Sequence, residues 1–529
     1  MARIDNLNNF LTDVATSIKN KAGLTEITPA NFDTAINNIS TGLEPQGLLQ
    51  EYYVAAGKNI TPGTFVEFVN GIAGTTTGAT PMVNIGPDMG SATASYINSA
   101  RHYATQLANN KVLLVTNVGR YTGETVVVAV GLTFQNSRVT LTNSIIVGFG
   151  EFTGVLAVPY TEDIGAALVG DNGCFVKFTG NTLSVCGAVE DITSGGALLS
   201  NLMMRGCICK LDNENVITIG EYESGTYDGY LAVNWSKIAP YQSVYEFDKM
   251  DYVRMKDVYN LSTSINVLDV VPSSATSFVI LMDKFGSEGG LYAMAGTIDA
   301  ASESITLGTV YTVSTDAAFN YSSTQEGFGS INTKTGKGLW IRDYQVNSYE
   351  DDAGEHYVDY TLKGFLITTS GTTVSTTPVT IDSTVRTDWY YEIYGIQIAD
   401  DKMFAYWADD LNNIQYGQIF QYGTSVTKGA MVALSSGHSQ QRYAHVSKLQ
   451  SNSLLFSVPK MDGLTAGTLF GKEWFYSGLV LSDSGTISTL ETQVQPATSS
   501  KVNGIAKNAG TGGSATAHNQ KVQVYVPNV

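Results

Sequence analysis

Charge is what this chain has least of. Asp, Glu, Lys and Arg make up 15% of its 529 residues, against about a quarter in an ordinary soluble domain. Cations are the scarcer sign: 30 Lys and Arg stand against 48 Asp and Glu, a formal net charge of −18. Such a surface repels phosphate backbones, and no basic stripe or Arg-rich segment offsets it, so a nucleic-acid partner is disfavoured. No apolar run approaches the roughly 18–20 residues that a membrane-spanning helix needs, so no membrane insertion is expected. The opening Met-Ala-Arg-Ile-Asp begins a polar amphipathic stretch and not an apolar core, so no signal peptide is expected.

Cysteine and histidine are also sparse. The four cysteines, Cys174, Cys186, Cys207 and Cys209, lie in one stretch without a CxxC pair. That spacing argues against a four-cysteine zinc site, and buried free thiols are the first reading. No two of the five histidines, His102, His356, His438, His445 and His518, stand at metal-ligand spacing. No GxSxG elbow and no GK[ST] phosphate loop occurs. These absences predict no cofactor, no metal and no catalytic residue, and the chain is expected not to be an enzyme.

Gly (53), Tyr (29) and many Thr and Ser residues fill the space that charge leaves. Low charge with β-branched and aromatic residues suits pleated, half-buried surfaces and does not suit disorder.

The first 45 residues read differently from the rest. Ile4, Leu7, Leu11, Val14 and Ile18 recur at spacings of three and four, which predicts a helix with one apolar, heptad-like stripe. Gly23 stops it. A second short helix is predicted from Thr28, with Pro29 at its first position and Phe32, Ile36 and Ile39 on its apolar face. So few apolar residues cannot sustain a core, so the pair reads as an attachment or oligomerisation element.

Beyond it, apolar runs of strand length alternate with Gly, Ser, Asn, Asp and Thr clusters, as in Lys111–Thr116, Thr125–Val130, Asn215–Gly220, Ser277–Met282, Lys402–Trp407 and Ser453–Val458. A loose repeat places units at about 97–153, 154–201, 202–255, 256–320, 321–387, 388–442 and 443–490. Units of four short strands predict a β-propeller, with seven blades counted and six or eight open. Two stacked β-sandwiches remain the competing arrangement. The ends of the β region, 46–96 and 491–529, are too short to bury a sheet face alone. They are expected to pair into one small β domain flanking a propeller over 97–490, with the helical module at 1–45.

Acids and aromatics supply the remaining candidates. Glycosidases use paired carboxylates, and Glu162/Asp163, Asp400/Asp401, Asp409/Asp410 and the Glu350-Asp351-Asp352 cluster with Glu355 offer them. All fall in predicted loops, where solvation explains them as well. The last cluster also has the oxygen density that Ca²⁺ favours, without the EF-hand pattern. Ser482-Asp483-Ser484-Gly485-Thr486 is better explained as a hairpin turn than as a sialidase-type Asp-box. Trp340, Tyr344, Tyr349, Trp389, Tyr390, Tyr391 and Tyr394 could stack on sugar or fill sheet cores. Tyr344 and Tyr349 are the two expected to be exposed as ligand contacts.

Three segments resemble tail-fibre, head-fibre and baseplate-type proteins of phages that infect Gram-positive bacteria. The first is Ile4-Asp5-Asn6-Leu7 through Ile18 with Thr28-Pro29-Ala30-Asn31-Phe32. The second, Ala55 and Gly57 through Thr61-Pro62-Gly63-Thr64-Phe65-Val66, is similar to the opening strands of phage decoration-type β domains. The third, Val502-Asn503-Gly504-Ile505-Ala506-Lys507 with Gly510-Thr511-Gly512-Gly513 and Val522 through Pro527, is similar to the other half of such a domain. Here more than four hundred residues separate the halves, which fits an inserted propeller. The resemblance implies a virion protein, made in the host cytoplasm, whose N-terminal region attaches it to other virion proteins. It implies a homo-oligomer, often a trimer in fibres. The propeller would then bind a host cell-wall polysaccharide or surface protein. A collar, head-fibre or capsid-decorating protein without a receptor is the alternative, and a propeller depolymerase using Asp351, Asp352 or Asp401 is a third.

Overall fold

A computed structural model describes residues 47–54, 58–72, 82–84, 102–108, 111–119, 125–135, 138–149, 155–169, 172–180, 182–189, 208–222, 230–241, 244–255, 265–284, 290–319, 327–350, 356–388, 393–409, 414–436, 445–450, 453–459, 473–481, 487–497, 502, 504–511 and 521–527. The predicted helices, with Ile4, Leu7, Leu11, Val14 and Ile18, lie outside these residues, as do Cys207, Asp351, Asp352, Glu355 and Trp389–Tyr391.

The described chain is mainly β, most of it in four-stranded antiparallel sheets. It divides into two compact units, one of residues 1–78, 136–138 and 488–529, the other of 79–135 and 139–487.

In the first unit, strands from both ends of the chain share one sheet. Gly47–Val54 runs antiparallel to Lys521–Pro527, with Gly47 opposite Pro527 and Tyr53 opposite Lys521. Phe65–Ile72 pairs with Ile487–Pro496 and, at Phe65 and Val66, with Gly504–Ala506. Asn59–Ile60 pairs with Gly510–Thr511. Val54, Ile60, Val66, Ala506, Val522 and Val524 form its core. The Thr61-Pro62-Gly63-Thr64 turn is dictated locally. Proline presets the first corner, and Gly63 takes a φ of +81° that a side chain would resist.

The second unit is a succession of antiparallel sheets, six of them built from consecutive strands. Sheet 1 holds His102–Ala108, Lys111–Gly119, Thr125–Gln135 and Arg138–Phe149. Sheet 2 holds Val155–Pro159, Ile164–Val169, Asn172–Thr179 and Thr182–Val189. Sheet 3 holds Ile208–Lys210, Asn215–Tyr222, Tyr230–Tyr241 and Val244–Arg254. Sheet 4 holds Ile265–Ser274, Ser277–Lys284, Leu291–Asp299 and Ser304–Leu307, with Tyr311–Ser314 beside its third strand. Sheet 5 holds Gly327–Asn332, Lys337–Glu350, His356–Ser370 and Thr373–Asp388. Sheet 6 holds Ile393–Ala399, Lys402–Asp409, Ile414–Tyr422 and Val426–Lys428, with Val432–Ser436 beside its third strand. The strands His445–Gln450, Ser453–Pro459 and Glu473–Leu481, called sheet 7 below, pair in that order, and Met82–Asn84 pairs with Glu473–Phe475. The sequence reading of 46–96 as one half of a small end domain includes these three residues. So short a strand in a Gly- and Thr-rich stretch carries no alternation to reveal its partner.

The apolar runs are nearly continuous because the sheets pack on both faces. In Ser277–Lys284, Phe278, Ile280 and Met282 pack against sheet 3, while Val279 and Leu281 pack against sheet 5. Clusters of this kind join each sheet from 1 to 7 to the next. Trp235, Trp340 and Trp407 are fully buried on second or third strands, each burial stabilising by roughly 2–3 kcal/mol. The first strands of sheets 1 and 2, 3 and 4, 4 and 5, 5 and 6, and 6 and 7 lie side by side, and that of sheet 7 lies against that of sheet 1. Side chains also tie sheet to sheet. Lys210 donates to the Tyr160 carbonyl, Lys428 to that of Ile381 and Lys448 to that of Ile398.

Cys174 and Cys209 are buried and Cys186 is half-buried, and all three are free thiols. Burial raises the Cys174 thiol to about 11, so it stays protonated and inert.

Candidate functional site

Ionisable side chains concentrate in the seam between sheets 4 and 5. The strand Lys337–Glu350 starts as core, with residues 339–341 fully buried, and carries that burial two residues further into Arg342 and Asp343. Arg342 Nη2 donates to Asp283 Oδ2 at 3.0 Å across the seam, and to the Phe319 carbonyl at 3.4 Å. Arg342 Nη1 donates to Asp343. One cation thus holds two carboxyl groups. Burial, with the Asp283 charge adding to it, pushes the Asp343 carboxyl up to about 6, although Arg342 opposes this.

Toward solvent the same seam becomes aromatic. Tyr344 is half-buried and its hydroxyl donates to Asp316 Oδ2 at 2.9 Å. Its ring meets Phe319 edge-on at 5.0 Å. The Lys363 ammonium lies 2.9 Å from the Tyr344 ring centroid and 5.7 Å from that of Phe319, a cation–π arrangement. Donation to the Asp316 carboxylate raises the Tyr344 phenol, and burial lowers the Lys363 ammonium.

A third carboxyl stands nearer the first strands. Asp269, on Ile265–Ser274, accepts the Gly329 amide of sheet 5 through Oδ2 at 2.9 Å. The residue is half-buried, and desolvation raises its carboxyl to about 7 against the pull of the Gly329 and Val270 amides. Asp269 and Asp343 can therefore hold or release a proton near neutral pH, the range general acids and bases use. No group of three or more His, Cys, Asp or Glu residues placed to hold a metal ion occurs among the described residues.

The acids singled out from sequence do not converge. Asp163 pairs with Lys111, Asp400 pairs with Lys334, and Asp401 accepts the Gln421 amide. Asp163 stands in a turn of sheet 2 and Asp400 and Asp401 in a turn of sheet 6, while Asp409 ends a strand elsewhere in sheet 6. Glu350 ends the second strand of sheet 5. Tyr344 and Tyr349 lie on that strand and not in a loop. Tyr349 is 42% exposed, while Tyr344 has one ring face under Lys363 and its hydroxyl engaged. Trp340 is core, and Tyr394 packs on Tyr406 at 5.6 Å. Sequence reasoning passed over Asp269, Asp283, Arg342 and Asp343, because single charges in apolar runs form no motif. The available signal was the charge itself in Val-Leu-Asp-Val-Val, Leu-Met-Asp and Trp-Ile-Arg-Asp, since a fully buried strand admits one only with a partner or a shifted pKa.

No protein-family model matches the chain, and no curated protein does. Among solved structures it is similar to the polysaccharide lyase Uly1, at 9% identity and a TM-score of 0.37, over 83% of this chain and 99% of that one. It is similar to the α-L-arabinofuranosidase Arb93A of Fusarium graminearum, at 7% identity and a TM-score of 0.36, over 77% and 99%. It is also similar to the N-terminal domain of Nup159, at 10% identity and a TM-score of 0.32, over 80% and 98%. The expectation that the chain is not an enzyme is corrected here. Enzymes stand among these similar structures, and missing sequence motifs do not exclude a catalyst. Likenesses this distant transfer no reaction and no residue role to this chain.

Proposed function

We propose that this protein is a virion appendage of a tailed bacteriophage that presents a seven-bladed β-propeller to the host surface. Residues 79–487 form the propeller, with sheets 1 to 7 as its blades and Met82–Asn84 completing the last one, as a ring closure requires. The carrying observation is the pairing of the chain's two ends, Gly47–Val54 with Lys521–Pro527 and Phe65–Ile72 with Gly504–Ala506. Residues 79–487 thus fall in sequence between the two halves of a small β domain, which supports reading them as a module inserted into it. Residues 1–45 attach the chain to other virion proteins and favour a homo-oligomer, with a trimer the first state to test. The ligand is a cell-wall polysaccharide or a surface protein of the host.

Three measurements test this reading. Antibody against residues 100–490 should label the distal tail or appendage tips of particles, and deletion of residues 1–45 should abolish incorporation. Labelling at the capsid or neck overturns the host-binding role in favour of an architectural one. Purified protein should also sediment with host envelopes. Reducing ends released in the same incubation would add a depolymerising activity to the binding.

A further inference from the structure

We propose that the part of sheet 5 past Asp343 carries a binding face for an uncharged polysaccharide of the host envelope. Resting on the host-binding reading, this narrows it to one surface and one class of ligand. The strands Lys337–Glu350, His356–Ser370 and Thr373–Asp388 run 14, 15 and 16 residues. Gly327–Asn332 beside them pairs only as far as Arg342, so the sheet extends beyond its first strand. Tyr357, Asp359 and Thr361 stand at every second position of one strand and so share a face. Opposite them in the ladder stand Tyr349, Asn347 and Tyr344, and directly opposed residues lie on the same face. The bulge at Val346 resets the alternation and keeps those three in line.

The two faces of this extension differ. Nearer the core, the face of Tyr344 packs on sheet 4 through Trp340 and Phe365, and Phe319 and Asp316 still reach Tyr344 itself. Farther out, Asn347 and Tyr349 are exposed and Asp359 and Thr361 half-buried. On the reverse face Val358 and Tyr360 are buried in the apolar cluster that includes Ile393 and Trp407 of sheet 6. Backing from behind fixes the platform before a ligand arrives, which lowers the ordering cost of binding. Over four residue rises, about 13 Å, the open face offers an aromatic ring, an amide, a carboxylate and a hydroxyl. A tyrosine ring stacks on the C–H face of a sugar, and the polar groups bond to its hydroxyls. Charge selects among glycans. Asp316 and Asp359 flank the row, and Glu350 ends its strand. Among the described residues the cations of this face are Arg342, engaged with Asp283 and Asp343, and Lys363, seated over Tyr344. Phosphate- or carboxylate-bearing chains are repelled here, and neutral ones are not. A protein partner would be expected to seat apolar anchors in a pocket, whereas this face sets polar groups around one exposed tyrosine.

Sedimentation with host envelopes after two treatments tests this. Protease strips surface protein, and periodate cleaves the vicinal diols of sugars. Binding by the wild type should survive protease and high salt and be lost after periodate. Tyr349→Ala should weaken binding about tenfold and Asn347→Ala about fivefold. Tyr252→Ala, at a tyrosine of sheet 3 that is likewise 42% exposed, should bind as the wild type does. If either variant of the row does not fold, hydrogen exchange in the wild type decides. Polysaccharide released from protease-treated envelopes should slow exchange in peptides covering 344–350 and leave those covering 244–254 unchanged. Loss of binding after protease, weakening by salt, row variants that bind as tightly as the wild type, or no slowing over 344–350 overturns the proposal and leaves host binding standing. A wild type that does not sediment with untreated envelopes overturns the host-binding reading and this proposal with it.

Discussion

The Arg342 guanidinium meets the Asp283 carboxylate across the seam of sheets 4 and 5 at 3.0 Å, with the two side chains 1% and 6% exposed. Such a pair is costly to desolvate and weak evidence of net stabilisation, but removing one partner leaves an uncompensated buried charge. Arg342→Met should therefore cost about 3–5 kcal/mol. Replacing Arg342, Asp283 and Asp343 together by apolar residues of similar size should cost far less. Urea denaturation of the single and triple variants, followed by fluorescence of the buried tryptophans, checks both. A single variant as stable as the triple would contradict the account.

Asp343 shares Arg342 with Asp283 and has its carboxyl raised to about 6 by burial. A raised acid contributes stability that is complete below the unfolded value of 3.8 and is lost as pH climbs through 6. Asp343→Asn should thus gain on the order of 1–3 kcal/mol over the wild type at pH 7, and nothing at pH 4. The comparison is denaturant midpoints at the two pH values. A gain equal at both would mean that the carboxyl is not the cause.

Gly187 and Gly180 separate close packing from turn conformation. A Cβ on Gly187 would sit 2.2 Å from the Tyr245 carbonyl oxygen, because the outer strands of sheets 2 and 3 approach backbone to backbone there. Gly180 has a φ of +58° in the turn before Thr182–Val189, with nothing within 4 Å of a Cβ. Gly187→Ala must push two strands apart and should cost about 2 kcal/mol or more. Gly180→Ala meets only backbone strain and should cost about 1 kcal/mol. Thermal midpoints of the two variants rank the effects, and the reverse order would refute the packing argument.

What sequence revealed of this molecule follows from how its sheets are buried. Strands such as Ser277–Lys284 and Lys402–Asp409 are apolar on both faces, so the runs Ser277–Met282 and Lys402–Trp407 mark them without ambiguity. The four-strand rhythm is legible because turns such as Ser274–Ser277 and Asn332–Lys337 carry the small polar residues that tight reversals need. Met82–Asn84 was not legible, because its place is set by a partner almost four hundred positions away. The site was harder still. Asp269, Asp283 and Asp343 belong to three different strands, and only tertiary packing brings them to one seam. Tyr344 was visible as an aromatic residue, but sequence spacing cannot show that Lys363 covers its ring.

Tyr349 and Tyr344 stand five positions apart on one strand and should answer mutation differently. Tyr349 is 42% exposed, near the end of a strand whose residues 346–350 are all exposed. Tyr349→Ala should leave stability within about 0.5 kcal/mol of the wild type. If the host-binding reading holds with Tyr349 as a contact, the same variant should lose about tenfold in affinity for host envelopes, the size of one peripheral aromatic contact. Tyr344→Phe removes the hydroxyl that donates to Asp316 but keeps the ring under Lys363. It should cost about 1 kcal/mol or less, because Asp316 is exposed and water replaces the lost donor. Tyr344→Ala takes away the platform and should cost more than Tyr344→Phe by the packing of a half-buried ring. Co-sedimentation with envelopes and denaturant midpoints, measured on all three variants, separate the roles. Unchanged binding in Tyr349→Ala removes it as a contact, and a Tyr344→Phe variant as damaged as Tyr344→Ala would place the stabilisation in the hydroxyl and not in the ring.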